Sequence, residues 1–163
     1  MLLRSCGCGT RCTTARYGEG SWGVVTGATD GIGKAAALYL GRQGFNVVLM
    51  SRTQAKLEAV AKEIEQAAKQ AGKTIKTRVI QIDFTKTYDA ATFGKIYEEK
   101  LKDLDLSVLV NNVGMTPGPH GAQLFKDNKQ AKVHDAMACN IYAGTLLTRE
   151  VVQKFKERYE NGG

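Results

Sequence analysis

Residues 22–38 read WGVVTGATDGIGKAAAL, a short apolar strand followed by a glycine-rich turn and the first turns of a helix. Backbone N–H groups at a helix N-terminus are unpaired and carry partial positive charge, so they attract phosphate. The glycines allow a sharp turn and let ligand atoms approach the backbone closely. This stretch therefore predicts a turn that binds the pyrophosphate of a dinucleotide.

The position of the motif Thr26-Gly27-x-x-x-Gly31-x-Gly33, between a strand and a helix, supports this prediction. Residues 18–23 read GEGSWG and fit the pattern G-x-G-x-x-G, but they precede the strand and are a chance match. A purely structural strand-to-helix turn is the alternative interpretation of the later motif. The candidate cofactor-binding residues of this turn are Thr26, Gly27, Asp30, Gly31, Ile32 and Gly33.

Strand-like and helix-like segments alternate along the rest of the chain. Apolar runs predict four strands, over residues 22–26, 45–50, 78–83 and 106–110. Helical spacing predicts helices over residues 31–43, 54–71, 88–102 and 129–159, with Ser51 and Gln54 at capping-box spacing. The alternation predicts an α/β fold, namely a Rossmann-type doubly wound parallel sheet with strand order 3-2-1-4, truncated because the later strands are absent.

Composition divides the chain into a basic leader, residues 1–16, and a domain over residues 17–163 that we expect to be incomplete at its C-terminus. The leader has three arginines and no acid, which is typical of a mitochondrial transit peptide; a disordered tail or a misassigned start is an equal alternative. The net charge of +7 suits an anionic small ligand, and we expect no nucleic-acid partner. No apolar run is long enough to span a bilayer. We expect no metal site and read Cys6, Cys8 and Cys12 as free thiols.

Charged residues beyond the glycine turn indicate the type of dinucleotide. Arg52 ends the second predicted strand about 20 residues past the glycines, where an acid favours NAD and an arginine accommodates the 2′-phosphate of NADP. Lys34 and Lys56 could add positive charge nearby. Asp83, after the third strand, could accept a hydrogen bond from the adenine amine or cap the following helix. The sequence therefore favours NADP(H), although Arg52 could instead only cap or decorate the next helix.

Polar residues also follow the fourth strand, in Asn111-Asn112-Val113-Gly114. Ligands of open α/β sheets lie beyond the carboxyl ends of strands where the strand order reverses, so we assign Asn112, Val113 and Gly114 to cofactor binding. The asparagines could also tie neighbouring turns together. Asn140 lies within the last predicted helix, and His120 and His134 are read as loop or surface residues.

Together these motifs resemble the short-chain dehydrogenase/reductase superfamily. The resemblance is closest to the branch of very-long-chain 3-oxoacyl-CoA reductases and related 17β-hydroxysteroid dehydrogenases. It rests on VTGATDGIGK at residues 25–34, GFNVVLMSRTQAKL at 44–57 and VLVNNVGM at 108–115. The resemblance implies NADPH-dependent reduction of a 3-oxoacyl-CoA or related ketone, and a location in the endoplasmic reticulum, with the mitochondrion as the alternative that the leader suggests.

The resemblance also implies four catalytic residues, a Tyr, a Lys four positions later, a Ser and an Asn. Asn140 matches the last of these, and it is the one catalytic residue carried over. No tyrosine in the 163 residues is followed four positions later by lysine. We therefore expect the chain as written to be inactive alone, with a catalytically inactive dinucleotide-binding or structural subunit of a larger assembly as the alternative function.

The predicted fourth strand, residues 106–110, would form an apolar edge of the truncated sheet. Unpaired backbone groups at such an edge promote association with other chains. We expect the chain alone to be poorly stable, or a protein partner to cover this strand.

Overall fold

The computed structural model describes residues 14–118 and 125–161, and four parallel strands form its centre. The strands are β1 (Trp22–Thr26), β2 (Asn46–Ser51), β3 (Thr77–Gln81) and β4 (Leu106–Val110). Their order in the sheet is β3-β2-β1-β4, which confirms the predicted order. The predicted leader, with Cys6, Cys8 and Cys12, lies almost entirely outside the described residues, and so does His120.

The sheet is parallel throughout, and β1 lies between β2 and β4. Gly23 of β1 is in register with Val47 on one side and Val108 on the other. All six residues of β2 are buried, as expected for an interior strand covered on both faces. β4 pairs with β1 alone among the described residues, so its other side is an edge.

Helices cover both faces of the sheet. They are α1 (Thr14–Tyr17), α2 (Gly31–Arg42), α3 (Gln54–Gln70), α4 (Ala90–Lys100), α5 (Gln130–Met137) and α6 (Ala143–Glu160). A 3₁₀ turn at Phe125–Asp127 precedes α5, and a π-helical segment at Ala138–Tyr142 joins α5 to α6. None of the described helices is long and apolar enough to cross a membrane.

Alternating side chains of the strands divide the core between the two faces. Val24 of β1 belongs to the cluster under α4 and α6, which includes Phe93 and Leu147. Val25, the next residue, belongs to the cluster under α2 and α3, with Leu57. This period of two is the geometry of a pleated strand with both faces buried.

The structure corrects two predictions of local structure. The capping box is wrong because Ser51 is still the last residue of β2, and its hydroxyl lies 3.0 Å from that of Thr29. The N-cap of α3 is Thr53, whose side chain makes no capping hydrogen bond. The continuous helix over residues 129–159 is also wrong, since a π-helical segment interrupts it at Ala138–Tyr142.

Candidate functional site

The turn between β1 and α2 requires glycine at three positions, two because of their backbone angles and one because a side chain has no space. Gly27 and Gly31 have φ angles of +64° and +51°, in the left-handed region that side chains disfavour. Gly33 has an ordinary backbone, but a Cβ there would overlap the carbonyl oxygen of Gly27 and the side-chain amide of Asn112. The first turn of α2 can therefore pack closely against the end of β1 and the segment that follows β4.

The side chain of Thr26 ties this turn to the end of β4. Its hydroxyl oxygen accepts hydrogen bonds from the backbone N–H groups of Asn112 and Val113, both at 3.0 Å. The hydroxyl also lies 3.3 Å from the Val110 carbonyl oxygen, to which it donates. Thr26 is 1% exposed, so water does not compete for these bonds. These bonds fix the end of β1 in position relative to the end of β4.

Asn112 completes the connection from the other side. Its side-chain amide donates to the carbonyl oxygens of Thr26, at 3.0 Å, and Gly27, at 3.3 Å. The predicted role of an asparagine in tying neighbouring turns together is confirmed for this residue. Asn111 makes a different contact, because its amide donates to the hydroxyl of Thr148 on α6 at 2.8 Å.

A cleft of about 340 Å³ opens beyond the carboxyl ends of the strands. Its wall brings together residues from the glycine turn, the ends of β2 and β3, the segment after β4 and the π-helical segment. They are Thr29, Asp30, Ser51, Arg52, Ile82, Asp83, Phe84, Thr85, Val113, Gly114, Met115 and Cys139. Five predicted site residues, Asp30, Arg52, Asp83, Val113 and Gly114, thus line one cavity.

The start of α2 is accessible beside this cleft. No atom lies within 4 Å of the position that a Cβ of Gly31 would take, and Ile32 is 80% exposed. The N-cap of the helix is Asp30, whose carboxylate accepts a hydrogen bond from the N–H of Gly31 at 2.7 Å. The following N–H groups of the first turn have no carbonyl partner within the helix and can bind an anion.

Basic residues are distributed unequally around the cleft. Arg52 is exposed and lines the cleft, and its carbonyl oxygen accepts from the Gln81 side chain at 3.0 Å. Lys56 is exposed on α3 but does not line the cleft. Lys34 forms a 2.7 Å ion pair with Glu63 of α3, so its charge is partly neutralised on the outer side of the two helices. Arg52 is therefore the cation best placed for a ligand in this cleft.

Asp83 accepts hydrogen bonds where the chain leaves β3. The hydroxyl and the backbone N–H of Thr85 donate to its carboxylate, at 2.7 and 3.1 Å. The hydrogen bond from the Thr85 hydroxyl is the largest cause of a lowered pKa of Asp83, and the bond from the Thr85 backbone N–H lowers this pKa further. Both bonds favour the charged carboxylate. The alternative that Asp83 caps the next helix is wrong, since Asp89 is the N-cap of α4 and accepts from Thr92 N–H at 2.7 Å.

Asn140 lies in the π-helical segment and contacts the chain beyond β4. Its amide oxygen accepts from the N–H of Met115 at 2.8 Å, and its amide nitrogen donates to the Met115 carbonyl oxygen, also at 2.8 Å. This pair of bonds holds the segment after Gly114 beside the helix. The side chain of Asn140 thus positions backbone that forms one wall of the cleft.

Cys139 belongs to the site but was not predicted from the sequence. The side chain is 4% exposed and lines the cleft, and burial raises the pKa of its thiol. A lone cysteine has no spaced partner that would indicate its location. His134 is exposed on α5, as predicted, and its ring lies edge-on to Tyr88 at 5.1 Å between centroids. In the part of the chain that the structure describes, no group of three His, Cys, Asp or Glu residues could hold a metal ion.

A larger cleft of about 510 Å³ lies at the opposite edge of the sheet, between the start of β4 and the end of α6. Its lining includes Asp105, Leu106 and Arg158, and it is remote from the glycine turn. The guanidinium of Arg158 pairs with Asp105 and donates to the carbonyl oxygen of Tyr17, which joins three segments of the fold. We attribute no ligand to this second cleft.

Comparison with known proteins matches residues 22–163 to a family model described as short chain dehydrogenase. The chain is 46% identical over 145 residues to very-long-chain 3-oxoacyl-CoA reductase of Schizosaccharomyces pombe, covering 88% of this chain and 40% of that protein. It is 42% identical to human 17-beta-hydroxysteroid dehydrogenase type 3, covering 85% and 41%. It is 40% identical to human inactive hydroxysteroid dehydrogenase-like protein 1, covering 85% and 39%. The chain spans about two-fifths of the length of these relatives.

Solved structures agree with the fold. A 7beta-hydroxysteroid dehydrogenase superposes with a TM-score of 0.71 at 25% identity, covering 89% of this chain and 50% of the other. A short-chain dehydrogenase from Sphingobium yanoikuyae in complex with NADPH gives a TM-score of 0.65 at 25% identity, covering 83% and 48%.

Proposed function

The chain belongs to the short-chain dehydrogenase family, and from this premise we propose that it forms the NADP(H)-binding part of a reductase for 3-oxoacyl-CoA or a related ketone. The observation that carries the proposal is the cleft at the strand ends, which joins the open start of α2 to Arg52 and Asp83. The names of the relatives, a 3-oxoacyl-CoA reductase and a hydroxysteroid dehydrogenase, support the substrate class.

The residues of the cleft, with the start of α2 beside it, would bind successive parts of a dinucleotide. The first-turn N–H groups of Ile32 and Gly33 would bind the pyrophosphate, since the glycine positions leave space for it. Asp83 would accept from the adenine amine, and its lowered pKa keeps it an acceptor at neutral pH. Val113 and Gly114 would lie along the nicotinamide half, held in place by Thr26 and Asn112.

Arg52 supports NADP over NAD. An arginine at the end of β2 can donate two parallel N–H bonds to a 2′-phosphate, while an acid there would accept from the ribose hydroxyl of NAD. Arg52 forms no ion pair with another described residue, so its guanidinium is available to a ligand. Lys56, on the first turn of α3, would strengthen the local positive potential without direct contact.

When bound, NADPH supplies a hydride for a ketone carbon. The chain's own contribution is to hold the dinucleotide and, through Asn140, to fix the Met115 backbone beside it. In the short-chain dehydrogenase family an asparagine at this position supports a proton relay, and we propose the same role for Asn140. No Tyr-x-x-x-Lys is present in the 163 residues, so binding is the quantity to test first.

The test is titration of the 163-residue chain with NADPH and NADH, followed by calorimetry or nicotinamide fluorescence. We expect NADPH to bind more tightly. Arg52→Gln should weaken NADPH binding by about tenfold or more, as expected for loss of a charge-assisted bond, and leave NADH unchanged. Lys62→Gln, an equal change of charge on α3, is the control. Failure to bind either dinucleotide would overturn the proposal, and equal affinities would overturn its NADP preference.

A second candidate is a catalytically inactive dinucleotide-binding subunit. The similarity to a human relative named inactive favours it. Sequencing of the transcript beyond the codon for Gly163 distinguishes the two. A Tyr-x-x-x-Lys encoded downstream supports the reductase, whereas a stop codon, together with tight NADPH binding, supports the inactive subunit.

We further propose that a protein partner covers the free edge of β4, because Leu106–Val110 pairs on one side only within the described residues. For location we propose the endoplasmic reticulum, on the resemblance, with the mitochondrion as the alternative. Import of the chain into isolated mitochondria with shortening of its mass would favour the alternative.

A further inference from the structure

Four cations lie along the edge of the molecule where β2 and β3 begin, opposite the cofactor cleft. We call them the basic edge: Arg42, Lys69, Lys73 and Lys76. Arg42 and Lys69 lie in the last turns of α2 and α3, which end at this edge. Lys73 and Lys76 lie in the connection from α3 to β3. The proposed dinucleotide site uses none of these charges.

The backbone beneath the basic edge is fixed. The N–H of Lys73 donates to the Ala68 carbonyl oxygen at 2.9 Å, which turns the chain back at the end of α3. The N–H of Lys76 donates to the side chain of Asn46 at 2.7 Å, and the Lys76 carbonyl oxygen accepts from Val47 at 3.0 Å. The stem of Lys73 lies beside Gly44, since a Cβ there would be 3.4 Å from its Cδ.

The charges of the basic edge are not neutralised by neighbours. None of the four side chains forms an ion pair with another residue that the structure describes. The carboxylate of Glu65 is near, since it accepts a hydrogen bond from the hydroxyl of Thr77, the residue after Lys76. Other cations at this end of the sheet are paired, such as Arg78 with Asp103 at 2.7 Å.

Compensation of helix dipoles explains part of this pattern. Basic residues in the last turn of a helix interact favourably with its C-terminal carbonyls, which accounts for Arg42 and Lys69. Lys73 and Lys76 follow the end of α3 and do not occupy its last turn. The ammonium groups of Lys73 and Lys76 therefore add positive charge that compensation of the helix dipoles does not explain.

We propose that the basic edge docks the protein on an anionic phospholipid surface. A membrane surface attracts a fixed group of cations without needing a shaped partner for each one. Thr14, the first described residue, lies at this edge. Its Cγ2 would be 3.5 Å from a Cβ placed on Gly44. Three arginines, Arg4, Arg11 and Arg16, precede or adjoin this point in sequence, with no acid among residues 1–16. Docking at this edge leaves the cleft on the opposite end open to solvent.

The test is co-sedimentation of the full chain with vesicles of two compositions. One is phosphatidylcholine alone, and the other contains about 30 mol% phosphatidylserine, which makes its surface strongly anionic. The triple variant K69Q/K73Q/K76Q is compared with K62Q/K126Q/K129Q, which removes the same charge elsewhere on the surface. At about fivefold per lysine, the loss of three lysines should weaken binding to anionic vesicles by about 100-fold. The control should stay within about threefold of the parent chain, and added salt should weaken the parent's binding.

Each result decides the matter. Binding to anionic but not neutral vesicles, lost in the first variant and kept in the control, supports the proposal. Equal loss in both variants would show a dependence on net charge and would overturn it. So would absence of vesicle binding, or binding of heparin through the same lysines without vesicle binding, which would indicate a soluble polyanion. Unchanged NADPH affinity in the first variant separates this proposal from that for the cleft.

Discussion

At the scale of single residues, the site depends on a few side chains that hold backbone in place. The hydroxyl of Thr26 connects β1 to the segment after β4, and the amide of Asn112 returns two bonds to the turn. The sequence predicted that both residues belong to the cofactor site, because Thr26 ends one strand and Asn112 follows another at the edge where ligands of parallel sheets bind. It could not predict that Lys34 turns away to Glu63, since that pairing depends on how α2 packs against α3.

Replacement of Thr26 by valine should destabilise the fold. Valine has nearly the same shape but no acceptor, so the N–H groups of Asn112 and Val113 would lose their partner in a buried position. We expect a loss of about 2–3 kcal/mol in the free energy of unfolding, measured by urea denaturation. Thr26→Ser keeps the hydroxyl and should cost clearly less. A valine variant as stable as the serine variant would contradict this role.

Asp83 should make stability depend on pH in the acid range. Its pKa is lowered in the folded state by the bonds from Thr85, so its stabilising effect is fully present above the unfolded pKa, about 3.9. The effect is lost as the pH falls through the lower folded pKa. We expect Asp83→Asn to reduce the urea midpoint at pH 7 and at pH 5, and the difference from the parent chain to shrink towards pH 3. A difference that is constant with pH would contradict this sign.

At the scale of elements, strands were easier to predict than the ends and irregularities of helices. Apolar runs locate all four strands within a residue or two, because both faces of a parallel sheet are buried. The π-helical segment at Ala138–Tyr142 leaves no comparable pattern, since its apolar residues continue the helical spacing on both sides. Within this segment Asn140 makes two hydrogen bonds to Met115, a tertiary contact that the local pattern does not encode.

Loss of the Asn140 side chain should therefore loosen the segment after β4. In Asn140→Ala both hydrogen bonds to Met115 are lost, and the backbone of residues 113–118 should open more easily. We expect faster hydrogen exchange there, by about fivefold or more, because each lost bond contributes about 1 kcal/mol. The control is Asn161→Ala, which removes one capping bond to Glu157 at the far end of α6. Unchanged exchange in residues 113–118 would show that other contacts hold this segment.

At the scale of the whole molecule, the described sheet has two interior strands and two edge strands, β3 and β4. β2 and β1 lie in the interior, whereas β4 presents unpaired backbone groups on the side away from β1, as far as the described residues extend. The strand order was predictable because right-handed crossovers and the position of the glycine turn leave few arrangements. The apolar run of β4 predicts a buried strand, but it does not predict what pairs with the second side of that strand.

The open side of β4 should make the chain self-associate. Thr148 of α6 contacts Asn111 just past the end of β4, and Val152, one turn further along α6, is 47% exposed. An apolar surface beside an unpaired strand edge favours contact between chains. We expect sedimentation velocity to show association that increases with protein concentration, and Val152→Lys to reduce it. The control, Tyr39→Lys, charges a residue that is 43% exposed on α2, in the opposite helical layer, and should leave association unchanged. A parent chain that stays monomeric and melts in one sharp transition would contradict the idea that the edge of β4 needs a partner.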